Sequence, residues 1–174
     1  NKIGVANLIT DLMMEGTANK TPIELEEAID ALGSSINMYT TAQSINIEVN
    51  TLKRNFEPTL ALVEEILFEP RWDAKEFDRI KRETIESIKR RSAVPSSIAS
   101  NVFNKLNYGK HILSNSTTGT VASVESINID DFEQKYSEFL QHNIYDNLDK
   151  NALVDNILDN NTYNICEWCT NWIM

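Results

Sequence analysis

The sequence predicts an α+β chain in which helices pack on a short antiparallel sheet. Three observations carry that expectation. Apolar residues recur at helical spacing in six segments. Ile45, Ile47 and Val49 alternate with polar residues, as in a strand with one buried face and one wet face. Thr, Pro and Gly stand at the joints where helices start and stop. With 174 residues, 41% hydrophobic and 24% charged, the chain suits one domain with a real core.

The elements follow in order. Val5, Leu8, Ile9, Leu12 and Met13 form one apolar stripe, so residues 3–15 read as a helix running into a Gly16-Thr17 turn. Thr21-Pro22-Ile23-Glu24 supplies a cap, a Pro at the first helical position and a Glu that reaches back. The helix it opens buries Leu25, Ile29 and Leu32 and ends at Gly33. Residues 34–40 and 43–52 read as two strands. Phe56, Leu60, Val63 and Leu67 mark a third helix, stopped by Pro70. Asp73-Ala74-Lys75-Glu76 reads as a second capping box. It opens a long helix with Phe77, Ile80, Ile85 and Ile88 inward, ending before Pro95. A fifth helix holds Ile98, Val102 and Leu106, and residues 108–127 read as a Ser-, Thr- and Asn-rich loop. A last helix carries Phe132, Tyr136 and Phe139 on one face, as core residues. Six helices against one hairpin leave apolar faces that two strands cannot cover. The expectation is therefore a helix-rich domain missing part of its sheet, or one that needs a partner, with an exposed sheet edge.

Charge and cysteine usage narrow the function. A net charge of −10 argues against nucleic acid as a partner. No apolar run approaches the roughly 18 residues that span a membrane. The basic segment Lys75 to Arg91 holds seven Lys/Arg against four Asp/Glu. It reads as a solvated helix face or as a patch facing an acidic peptide or partner. Cys166 and Cys169 form a lone Cys-x-x-Cys, lacking a second ligand pair for zinc and the strand–helix setting of a redox site. No secretory or transit segment is visible.

The first helix and its Gly16-Thr17 turn resemble the frame of the pitrilysin/insulinase (inverzincin) metallopeptidases, in which His-x-x-Glu-His lies on such a helix. Aligned on that turn, the first His becomes Asn7, the Glu becomes Thr10 and the second His becomes Asp11. Further segments match in order. They are Ala31-Leu32-Gly33, Phe68-Glu69-Pro70-Arg71-Trp72, Phe77 to Pro95, Tyr108-Gly109-Lys110-His111 (with Ile112 in place of the usual Pro), Gly119-Thr120 through Ser126-Ile127, and Asp130-Asp131-Phe132. The third zinc ligand of active members is a Glu on the long helix. Counting forward from Asp11 and back from Pro95 both lead to Ser87. Glu83 and Glu86 are out of register.

The resemblance implies a partial pitrilysin-like domain over residues 1–141, with a divergent tail over 142–174. It implies a degenerate site at Asn7, Thr10, Asp11 and Ser87, with no catalytic or metal-binding residue and no cofactor in this chain. Zinc belongs in a catalytic homologous half or subunit, beside which this domain forms a chamber wall and helps hold a peptide substrate. Related inactive proteins imply two other roles: a core subunit of a membrane redox complex, or a subunit of a processing peptidase. The family's compartments are periplasmic or mitochondrion-like. His111 matches a position that is not a zinc ligand and reads as a packing or loop hydrogen-bonding residue; His142 has no assigned role. In the tail, eight of the last 32 residues are Asn, against twelve in the first 142. A short helix over 152–158 and a Cys- and Trp-bearing end suit a frameshifted, truncated or divergent terminus, and a gene remnant is the remaining alternative.

Overall fold

A computed structural model describes residues 2–42, 44–132 and 134–136, and the backbone of 163–164. The first helix, α1 (Val5–Met13), starts after Gly4 and is shorter than the stripe predicts. Its apolar face is enclosed: Leu8 and Leu12 are both 0% exposed. The Gly16-Thr17 turn then locks its end. Gly16 has φ +109, and a Cβ there would meet the Lys20 carbonyl oxygen at 2.6 Å. The buried Thr17 hydroxyl donates to Glu65 and accepts from the Lys20 backbone N–H at 3.0 Å. Thr17 also bridges to Pro70, which ties the turn to the end of the third helix.

Helix α2 (Pro22–Ala31) opens with the predicted capping box. Thr21 Oγ1 accepts from the Glu24 N–H at 3.4 Å, and Glu24 Oε2 accepts from the Thr21 N–H at 2.8 Å. Strands β1 (Ser35–Thr40) and β2 (Ile45–Asn50) form the antiparallel hairpin, with Met38 opposite Ile47. Both are shorter than predicted. The alternation is also incomplete, because Asn46 is buried together with Ile45 and Ile47. Its amide is satisfied by Ser44 Oγ at 3.0 Å. A two-residue strand, β3 (Tyr163–Asn164), pairs antiparallel with β2, giving the order β1-β2-β3. Among the described residues β1 is an edge.

Helix α3 (Phe56–Phe68) is rotated from the expected face. Thr59, Leu62, Val63, Ile66 and Leu67 are buried, while Phe56 and Leu60 are only half-buried. Thr59 explains the rotation. Its hydroxyl is enclosed and joins Ser34 and Thr51 in a hydrogen-bonded cluster at 2.8 and 2.9 Å. Helix α4 (Ala74–Ser92) is capped by Asp73, which accepts from the Lys75 and Glu76 N–H groups. The predicted reciprocal bond is replaced, because Glu76 turns to Arg79. Phe77 and Ile80 are buried, and Ile85 and Ile88 are partly so.

Helix α5 (Pro95–Tyr108) buries none of its side chains fully: Ile98, Val102 and Leu106 are all exposed. The segment predicted as a loop contains a 3-10 turn (Ile112–Ser114) and helix α6 (Val121–Glu125). Thr120 and Ser123 close a capping box in which Ser takes the place of the usual Glu. Residues 129–132 and 134–136 are helical. Phe132 is fully buried, with Phe77 edge-on at 5.0 Å between ring centroids and Trp72 at 6.1 Å. Tyr136 meets Trp72 edge-on at 5.2 Å.

The architecture is α+β, with α1 between the hairpin and α4. No helix among the described residues is long and apolar enough to cross a membrane. Phe139, His142, Cys166, Cys169 and the segment 152–158 lie outside the described residues.

The Tyr136 hydroxyl is buried without a hydrogen-bond partner among the described residues. Desolvation pushes its titration above the ordinary phenol range. Tyr136→Phe is therefore expected to leave stability unchanged or raise it by about 1 kcal/mol, since it removes an unsatisfied polar atom and keeps the ring. Urea unfolding checks this; a clear loss of stability would mean that the hydroxyl has a partner.

Candidate functional site

Asn7, Thr10 and Asp11 sit on one turn of α1, and Ser87 sits on α4. The structure brings all four to the wall of one cleft of about 530 Å³. Helical spacing explains the α4 side. Arg79, Glu83, Ser87 and Arg91 recur every four residues, so they share the face that lines the cleft. Met38 of β1 closes the floor from the sheet.

The polar groups of α1 satisfy one another. Asn7 Nδ2 donates to Asp11 Oδ2 at 2.8 Å. Thr10 Oγ1 donates to the Asn7 carbonyl at 2.8 Å and shares a hydrogen bond with Thr40 Oγ1 at 3.3 Å. Thr10 is 1% exposed, so that hydroxyl needs both partners. Burial pushes the Asp11 carboxyl up from 3.8 to about 6, and the Glu15 carboxylate adds to the shift.

A second network closes one end of the cleft. Arg79 binds Glu76 at 2.7 Å, Glu15 at 2.6 Å and Glu83 at 3.0 Å. These carboxylates, Glu76 first, hold its guanidinium charged well above the ordinary range. The other end is different. Arg90 has no ion pair among the described residues, and Arg91 donates to the Thr118 hydroxyl at 3.1 Å.

This donor set does not fit a catalytic zinc. Such a site needs three protein ligands and an open position for water. Asn7 presents its amide N–H to Asp11, which leaves one carboxylate already engaged. Thr10 spends its proton on a carbonyl and cannot act as a base near neutral pH. Ser87 adds no charge. Among the described residues no group of three or more His, Cys, Asp or Glu side chains could hold a metal ion. His111 lies elsewhere, where its Nδ1 accepts from the Leu113 N–H at 3.3 Å as a loop bond. Sequence reasoning missed Arg79 as the tie between α1 and α4, and Thr118 as the partner of Arg91. Neither pair is close in the chain, and no local pattern announces them.

Comparison with known proteins places this geometry. A family model for insulinase, peptidase family M16, matches residues 1–121. The chain is 24% identical over 136 residues to the uncharacterized zinc protease YmxG of Bacillus subtilis, covering 78% of this chain and 33% of that protein. It is 20% identical over 143 residues to the non-peptidase homolog YmxG of Helicobacter pylori, covering 82% of this chain and 33% of that protein. Among solved structures it is similar to the peptidase M16 inactive domain from Pseudomonas fluorescens. The TM-score there is 0.73 at 24% identity, covering 77% of this chain and 33% of that one. A protease from Helicobacter pylori superposes with a TM-score of 0.69 at 20% identity, over 78% of this chain and 33% of that one. The chain thus spans about a third of the length of the relatives it matches.

The raised Asp11 titration has a measurable consequence. An ionised Asp11 costs the folded state more than the unfolded chain, so stability is lost as pH rises from about 4 through about 6. Asp11→Asn keeps an acceptor for Asn7 and removes that charge. It is expected to stabilise the protein by about 1–2 kcal/mol at pH 7.5, allowing for solvent screening of a half-buried group. The gain should vanish below pH of about 4. Paired unfolding curves at the two pH values check it, and a gain that is independent of pH would exclude this origin.

Proposed function

The chain belongs to the insulinase family of M16 peptidases, and from that premise we propose that it is a non-catalytic peptide-binding domain. It works as the wall of a chamber beside a homologous half that carries the zinc. One observation carries this reading: Asn7, Thr10, Asp11 and Ser87, the positions that the sequence resemblance aligns with the family's metal motif, line one cleft, and all four are non-ligating or already engaged side chains. The scaffold that presents them is kept, with α1 enclosed and the Gly16-Thr17 turn locked. An inactive domain from Pseudomonas fluorescens and a non-peptidase homolog from Helicobacter pylori among the similar proteins support it.

The cleft suits an extended peptide. Edge strand β1 borders it through Met38, and Thr40 is bonded to Thr10 behind it. An edge strand offers unpaired N–H and C=O groups, so a peptide backbone can add to it as a further strand. Its side chains would then alternate toward and away from the cleft. Chemistry is left to the partner, whose zinc would polarise the scissile carbonyl and activate water.

The test uses the purified chain with fluorescently labelled, extended peptides. Binding by anisotropy is expected, with no cleavage by mass spectrometry. Elemental analysis after dialysis should find zinc well below one per chain. One tightly held zinc per chain together with peptide hydrolysis would overturn the reading, and so would failure to bind any peptide.

A further inference from the structure

The cations of the basic segment of α4 are mostly exposed, but they differ in what engages them. Arg79 is saturated by three carboxylates, and Lys81 donates to the carbonyls of Glu125 and Ile127 at 2.9 and 2.6 Å. Lys89 pairs with Glu86 at 3.0 Å, which takes the one carboxylate a turn before Arg90. Of the four that remain, Lys75, Arg82, Arg90 and Arg91, Arg90 and Arg91 border the cleft described above. Arg91 and Thr118 also border a second concavity of about 450 Å³ between α4, α5 and the loop before α6. The two hollows therefore share that pair as a common wall. The second is lined by Ser, Thr and Asn side chains together with Ile3, Ile88 and Val121, with Arg91 and Lys105 as its charges and no carboxylate. Lys105 has no ion pair among the described residues.

This basic end is built. The Thr118 hydroxyl that receives Arg91 is itself held by Ser116 at 2.8 Å. Gly119 fixes the loop behind it at φ +76, where a Cβ would meet the Ile3 carbonyl oxygen at 2.4 Å. The missing family ligand bears directly on the charge. A Glu at position 87 would stand three and four residues before Arg90 and Arg91, at ion-pairing distance along the helix. Ser87 leaves both guanidiniums without that partner. In a chain of net charge −10, Arg90 on the first cleft, Lys105 on the second hollow and Arg91 on both make a local reversal of sign where the second hollow has no carboxylate in its lining. Cleft walls concentrate such a field.

Resting on the peptide-binding reading above, we propose that the peptide this cleft takes is acidic, with a carboxylate side chain seated among Arg90, Arg91 and Lys105. The opposite end of the cleft carries Asp11, Glu15 and Glu83, of which Glu15 and Glu83 are paired with Arg79. It therefore gives an acidic residue no competing site. Guanidinium forks bind a carboxylate through two parallel N–H bonds, and the hydroxyls around them can donate to its remaining lone pairs.

The experiment compares two labelled peptides of Ala, Thr and Val that differ only in carrying paired Glu or paired Gln. Binding is read by anisotropy at fixed ionic strength. The Glu peptide is expected to bind about tenfold more tightly. Combining Arg90→Gln, Arg91→Gln and Lys105→Gln should erase the difference between the two peptides. Ser87→Glu should reduce the difference while keeping the three cations. All of these positions are half-buried or exposed, so unfolding curves should match the parent's. Equal, measurable binding of both peptides by the parent chain would sink the acidic preference and leave the peptide-binding reading standing. No binding of either would sink both. A preference that survives removal of the three cations would place the acidic subsite elsewhere and overturn this assignment.

Discussion

Burial of α1 is the constraint on which the rest of this structure depends. The helix is enclosed between the hairpin and α4, with Leu8 and Leu12 at its centre. Its first residue is set by Gly4 and its end by the Gly16-Thr17 turn. A helix held on two sides and at both ends cannot slide or rotate by a residue without exposing that stripe. Asn7, Thr10 and Asp11 consequently occupy fixed places, and Ser87 meets them because α4 packs along the same helix. The cleft is thus a by-product of core packing, and it persists whatever chemistry its walls carry.

Those walls follow a consistent electrostatic logic. Thr10 lies on the enclosed side of α1, where an ionised carboxylate would be costly unless a metal or cation faced it. Without a metal, a Glu at this position would be a buried charge beside Asp11, itself already pushed toward neutrality by burial. A Thr hydroxyl bonded to a carbonyl within its own helix removes that cost. Asn7 works in the same direction by donating to Asp11. Asn7, Thr10 and Asp11 are thus engaged among themselves with no second charge beside Asp11 on that turn. Arg79 ties α4 to α1 through Glu15.

Local signals made much of the fold legible. The box at Thr21 and Glu24, the stripe of α1 and the Ile45–Val49 alternation each depend on residues within two turns of one another. The reading failed where a polar residue took a core position or a non-local partner decided the outcome. Thr59 rotated α3 because its hydroxyl found Ser34 and Thr51 in distant segments. Glu76 left its cap because Arg79 offered a stronger, charged partner. Helix α6 was hidden by a Ser doing the work of Glu at the third helical position. At the site, alignment on the Gly16-Thr17 turn singled out Asn7, Thr10 and Asp11, and counting from Asp11 and from Pro95 singled out Ser87; the structure puts these four on one cleft. The hydrogen bonds that fill them, and the cations beyond Ser87, needed the packing of α4 to be seen.

Helix α5 shows the limit of reading burial from periodicity. Ile98, Val102 and Leu106 recur every four residues, a pattern that ordinarily marks a core face, yet Leu106 is 81% exposed. The helix is instead held at its two ends. Its Pro95 start follows α4 after a two-residue turn, and its C-terminal end is held by the 3-10 turn at Ile112–Ser114. Spacing alone states which side chains share a face; it does not state that anything covers that face. The adjoining side of α5, with Ser97 and Lys105, borders the second hollow. One helix thus supplies both an apolar exposed ridge and part of a polar wall. The polar wall is the side whose position α4 fixes, through Arg91 and the loop at Thr118.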